Sequence, residues 1–199
     1  MVTVHRATGL ALLAVLLIAP GLPAQQAGPE VPDLAAGGML TLPDFREWVF
    51  LSAGLGMTYG PNAPAAARPQ SFTNVYVNPS SYRAFMKTGA WPDRTMFILE
   101  IRGSQSESSI NRFGHVQAGL QAVEVNLKDA RLPGGWGFYD FGRTSGPAGP
   151  LPQTASCYAC HRDNGAVEHT FVQFYPTLFE VAQRLGTVKP TYDPKRTVR

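Results

Sequence analysis

Between Thr95 and Arg102 five of eight positions are apolar, four of them consecutive, but two faces can still be told apart. Thr95, Phe97, Leu99 and Ile101 fall on one side, and Met96, Ile98, Glu100 and Arg102 on the other, the two-residue repeat of a strand. Phe72 to Val77 alternates in the same way, and Trp136 to Phe141 forms an aromatic strand behind the turn Pro133-Gly134-Gly135. His115 to Leu127 carries enough Val and Leu for a further strand or a bent pair of them. Helical spacing appears in three places. Phe45, Trp48 and Val49 predict a short helix after Leu42-Pro43-Asp44. Asn78-Pro79 opens a second, with Tyr82, Phe85 and Met86 on one face and Gly89 as its stop. Pro176 opens a third, whose stripe of Leu178, Val181, Ala182 and Leu185 ends at Gly186. Residues 54–70, 104–111 and 146–156 lack either period and read as loops. Short strands joined without full crossover helices predict an α+β fold, mainly an antiparallel β-sheet with a few short helices.

The ends of the chain differ from its middle. Residues 1–24 combine a basic start at His5 and Arg6, an apolar run from Leu10 to Ala19 and the close Leu22-Pro23-Ala24, which predicts a secretory signal cleaved near Ala24. The run is too short for a comfortable membrane span and is broken by Pro20 and Gly21. Residues 25–41, rich in Ala, Gly and Pro, read as a disordered leader. Residues 42–188 then form one domain and 189–199 a tail. Loss of Arg6 lowers the formal charge from +3 to about +2, and the remaining basic residues are scattered, which argues against a nucleic-acid partner. Lys195, Arg196 and Arg199 are read as a solvated terminus.

Both cysteines lie in Cys157-Tyr158-Ala159-Cys160-His161, the spacing that attaches a c-type haem. Two thiols add across the porphyrin vinyl groups, and the next side chain, His161, is brought beneath the ring as an iron ligand. A redox Cys-x-x-Cys pair, half a zinc site and two ordinary buried thiols are the competing readings. The first expects a βαβ setting, and the second needs donors beyond His115 and His169. Haem c attachment and an export signal point to the same compartment, the periplasm. An electron carrier would need a second axial ligand, for which Met39, Met57, Met86, Met96, His115 and His169 are candidates, although Met86 and Met96 lie on core-facing positions.

Several stretches together resemble the cytochrome P-460 family, which includes the cytochromes c′-β. They are Arg46-Glu47-Trp48-Val49, Asn74 to Tyr82, Lys87-Thr88-Gly89, Gly135 to Gly142, the haem motif, and Phe171-Val172-Gln173-Phe174-Tyr175-Pro176. The resemblance spans about Leu42 to Leu178. It implies a mainly antiparallel sheet, a homodimer, and one haem c held through Cys157 and Cys160, with His161 as proximal ligand and an open distal side. P-460 members are oxidoreductases that oxidise hydroxylamine and carry a lysine cross-linked to the porphyrin, whereas c′-β members bind nitric oxide beneath a phenylalanine cap. The place expected for that lysine holds Leu99, and Lys87 is the nearest lysine in sequence. Phe97, Leu99, Glu100 and His115 are the candidates for the distal pocket, with Arg102, Asp140 and Glu168 as further polar groups. A face of Phe97, Leu99 and Ile101 offers no hydrogen-bond donor and favours nitric oxide or a related small nitrogen species. Hydroxylamine oxidation, and electron transfer to a redox partner, are the alternatives.

Overall fold

The computed structural model describes residues 30–59 and 70–194, so the expected signal peptide at 1–24 lies outside the described residues. Five strands follow one another as an antiparallel meander in the order β1-β2-β3-β4-β5. They are β1 (Val49–Leu55), β2 (Phe72–Val77), β3 (Met96–Gln105), β4 (Val116–Lys128) and β5 (Trp136–Gly142). Three helices, α1 (Pro79–Thr88), α2 (Ser156–Asn164) and α3 (Pro176–Leu185), complete the α+β fold.

Because side chains alternate across each strand, the sheet builds a separate core on each face. Met96 and Ile98 of β3, Val123, Val125 and Leu127 of β4, and Tyr139 and Phe141 of β5 share the first core with Val31, Leu40, Phe45 and Trp48. Phe97 and Trp136 point the other way, into a second core with Phe85 of α1 and Leu178, Val181 and Ala182 of α3. α1 and α3 take their ends from local chemistry. Each opens on a proline whose missing N–H costs the first turn nothing, and each stops at a glycine with positive φ, Gly89 at 69° and Gly186 at 69°. The expected cap at Asn78 serves a different purpose. Its Oδ1 accepts from the Met96 amide at 2.9 Å, which ties the start of α1 to β3 instead of to its own first turn.

Two expectations are corrected. The short helix at Phe45, Trp48 and Val49 is a single turn closed by Trp48 N donating to Phe45 O at 3.0 Å, after which Val49 enters β1. Phe45 and Trp48 are buried as expected, but a strand pairing with β2 offers the next residues a full ladder, which one helical turn could not. The disordered leader is folded from residue 30 onward. Val31 and Leu40 are buried in the first core, and Leu40 exchanges both backbone hydrogen bonds with Ala148 at 2.9 Å. Two isolated apolar residues among Ala, Gly and Pro carry no period, which is why only tertiary contact reveals them.

Leu40 is fully buried, so Leu40→Ala should lower the free energy of unfolding by about 2–5 kcal/mol in urea titration. A leader without structure would leave the titration curve where it was.

Candidate functional site

The second face of the sheet is covered by α1 and α3 at one end only. Over the rest of it, α2 and the chain around Phe171 stand off from the strands and enclose a cavity of about 960 Å³. Its sheet wall includes Thr73 and Val75 of β2, Phe97 and Leu99 of β3, Glu124 and Asn126 of β4, and Phe138 of β5. Cys157, Cys160 and His161 line the opposite side.

α2 buries none of its residues. A nine-residue helix without a core of its own is marginal, so its few anchors matter. Tyr158 donates its hydroxyl to Leu151 O at 3.1 Å and meets the Phe138 ring edge-on at 4.7 Å. Beyond the helix, Gln173 clamps the exit by donating Nε2 to Asn164 O at 2.8 Å and accepting the Ala166 amide at 3.0 Å. Gly165 is required by close approach, since a Cβ there would lie 2.8 Å from His161 O and from both backbone polar atoms of Thr170.

The His161 ring sits between Phe138, 4.6 Å away between centroids, and Phe171, 4.3 Å away. Its Nδ1 lies 2.8 Å from the carbonyl oxygen of His169. A carbonyl can only accept, so Nδ1 carries the proton and Nε2 keeps the lone pair that a metal requires. Burial pushes the imidazole pKa down to about 4, against the opposing pull of the hydrogen bond to the His169 carbonyl, so the ring is neutral at pH 7. Burial also pushes the Cys157 thiol up, opposite to the low-pKa thiolate of a redox Cys-x-x-Cys pair. Among the described residues no cluster of three or more His, Cys, Asp or Glu could hold a metal ion, so the zinc reading finds no further ligands there.

Several features fit a haem. Two free thiols and a neutral imidazole with a free Nε2 face one large cavity, and the helix bearing them has no other core. The buried Oδ1 of Asn126 on the cavity wall has no hydrogen-bond partner. A model for cytochrome P460 matches residues 42–172, well over half of the 199-residue chain. The chain belongs to the cytochrome P460 family. Among curated proteins none matches it. As a haem c cytochrome of P-460 type it binds its cofactor covalently, and the only two thiols of the chain are those facing the cavity.

Within this cytochrome the structure separates the predicted distal residues. Phe97 and Leu99 line the cavity. Glu100 does not. It is buried on the other face, where burial alone would raise its pKa, but Arg46 at 2.8 Å, Arg102 at 3.2 Å and Asn74 at 3.2 Å hold it below the usual range. His115 is exposed just before β4 and is not part of the lining. Ile101 is also absent from the lining. Asp140 is exposed and accepts the Gly142 amide, Arg102 is engaged by Glu100, and Glu168 by Lys128. Of the methionines considered as axial ligands, Met57 borders the cavity and Met96 lies in the first core. Lys87 lies in the last turn of α1, away from the lining.

Glu124 is the carboxylate that inspection of the sequence missed. It pairs in register with Leu99 across β3 and β4, on the cavity side. The signal was available: Val123, Val125 and Leu127 form one buried row, so Glu124, Asn126 and Lys128 must form the other. The Glu124 side chain is exposed within the open cavity, whose walls partly desolvate it. That desolvation, then the nearby Asp140, raises its pKa.

A raised carboxyl pKa means that the folded state binds the proton more tightly than the unfolded one. Stability therefore falls as pH rises from the ordinary carboxylate range through the raised value. Glu124→Gln should flatten that decline, measured as the urea midpoint between pH 4 and pH 8.

Proposed function

We propose that this cytochrome binds nitric oxide or a related small nitrogen species in the cavity, with His161 as the proximal ligand through Nε2. A haem held by Cys157, Cys160 and His161 would supply an iron centre able to take such a molecule. The observation that carries the reading is the composition of the sheet wall. Leu99 faces the cavity at the place expected for a cross-linking lysine, and no lysine is among the described residues that line it. Val75, Phe97 and Leu99 give the guest apolar surface without donors, which suits an uncharged diatomic better than a molecule needing hydrogen bonds. The role fits an exported protein, and we place it in the periplasm on the strength of the leading segment and the haem chemistry.

Glu124 supports a second reading. Oxidation of hydroxylamine releases protons, and a carboxylate on the cavity wall with a raised pKa is a suitable acceptor. Under this reading Glu124 takes the proton and passes it to solvent from its open side.

The two readings separate in one experiment. Titrating the reduced protein with nitric oxide should give saturable binding by absorbance, and the oxidised protein mixed with hydroxylamine and an artificial electron acceptor should show no turnover. Sustained turnover that disappears in Glu124→Gln would favour the oxidoreductase. Failure to bind nitric oxide would remove the first reading.

A further inference from the structure

The carbonyl that accepts the His161 Nδ1–H belongs to a tight turn that is fastened to the sheet from three directions. The turn closes on itself through Thr170 N donating to Val167 O at 3.0 Å, and Thr170 Oγ1 donates to the same oxygen at 2.6 Å. Trp91 Nε1 donates to Thr170 Oγ1 at 2.9 Å. Inside the turn Glu168 has φ of +49°, a left-handed conformation that a residue with a Cβ adopts only when its surroundings compel it. An ionic contact accompanies it. Lys128 Nζ lies 2.6 Å from Glu168 Oε2 and donates to Trp91 O at 2.7 Å, and the Trp91 amide donates to Glu168 Oε1 at 3.3 Å. Two residues back along the same face of β4, Asn126 Nδ2 donates to His169 O at 3.4 Å, the oxygen that His161 also uses.

We propose that Lys128 and Glu168 are positioning residues for the proximal histidine: by locking the 167–170 turn they hold the His169 carbonyl on His161 Nδ1 and so set how strongly the imidazole donates to iron. A firmly held acceptor gives the ring more imidazolate character, which makes it a stronger ligand and stabilises the oxidised metal. Loosening the turn does the reverse. The pair is half-buried, with side-chain exposures of 25% and 29%, so it is shielded enough to constrain geometry without a fully dehydrated charge. The inference rests on His161 being the proximal ligand and is independent of which molecule binds opposite.

The test is made on the haem-loaded protein, with the iron–histidine stretching band in resonance Raman spectra of the reduced form and the midpoint potential as readouts. Lys128→Met should lower the stretching frequency and raise the potential, and Lys128→Arg, which can still donate to both Glu168 and the Trp91 carbonyl, should leave both near the parent values. If Lys128→Met does not mature, Glu168→Gln, which keeps the shape and removes the charge, should shift both readouts in the same directions. Unchanged frequency and potential in the variants, even with lowered thermal stability, would overturn the proposal and leave the pair a purely structural role. His161→Ala tests the underlying reading separately, because an iron–histidine band that survives in it would show that another histidine holds the metal.

Discussion

The hydrogen bond from His161 Nδ1 to the His169 carbonyl decides what the rest of the site can be. It fixes the tautomer, leaves Nε2 with a free lone pair, and holds the ring between Phe138 and Phe171. Since the ring is neutral and held in place, it is ready to coordinate without first losing a proton. The seven residues between donor and acceptor do their part by turning the chain back on itself, with Gly165 allowing the close approach and Gln173 securing the helix end.

This arrangement depends on the sheet because α2 has little to hold it. Strand alternation gives β4 two unlike edges: Val123, Val125 and Leu127 join the first core, and Glu124, Asn126 and Lys128 face the other way. Along that second row each side chain has a different task. Glu124 brings a carboxyl to the cavity, Asn126 reaches the His169 carbonyl, and Lys128 grips the turn that carries it. One strand thereby links the wall facing His161 to the support behind it. The cavity itself exists because the helices α1 and α3 cover only part of the face, and a covalently bound porphyrin would supply the apolar packing that α2 lacks.

Much of this was legible in the residues. β2 and α1 match their predicted limits closely, since one has an unbroken two-residue repeat and the other has a proline start and a glycine stop. The faces of β3 were correctly divided, although Ile101 is not part of the cavity lining. The haem attachment motif declares itself by covalent chemistry, independent of fold. Less visible were β1, whose Ser52, Ala53 and Gly54 carry no strand preference and which exists through its pairing with β2, and the segment around Leu40, whose burial is a purely long-range event. Glu124 was overlooked for a related reason: attention to the apolar residues of β4 passed over the polar row that the same alternation implies. The partners of His161 were beyond reach, because a backbone carbonyl has no signature in a sequence.

The central claim is that iron is held from one side by His161 and is open on the other. The absorption spectrum of the reduced, haem-loaded protein without added ligand tests it most directly. The account predicts the broad bands of a five-coordinate high-spin haem c. Sharp low-spin bands, which require a second protein ligand such as Met57, would contradict it.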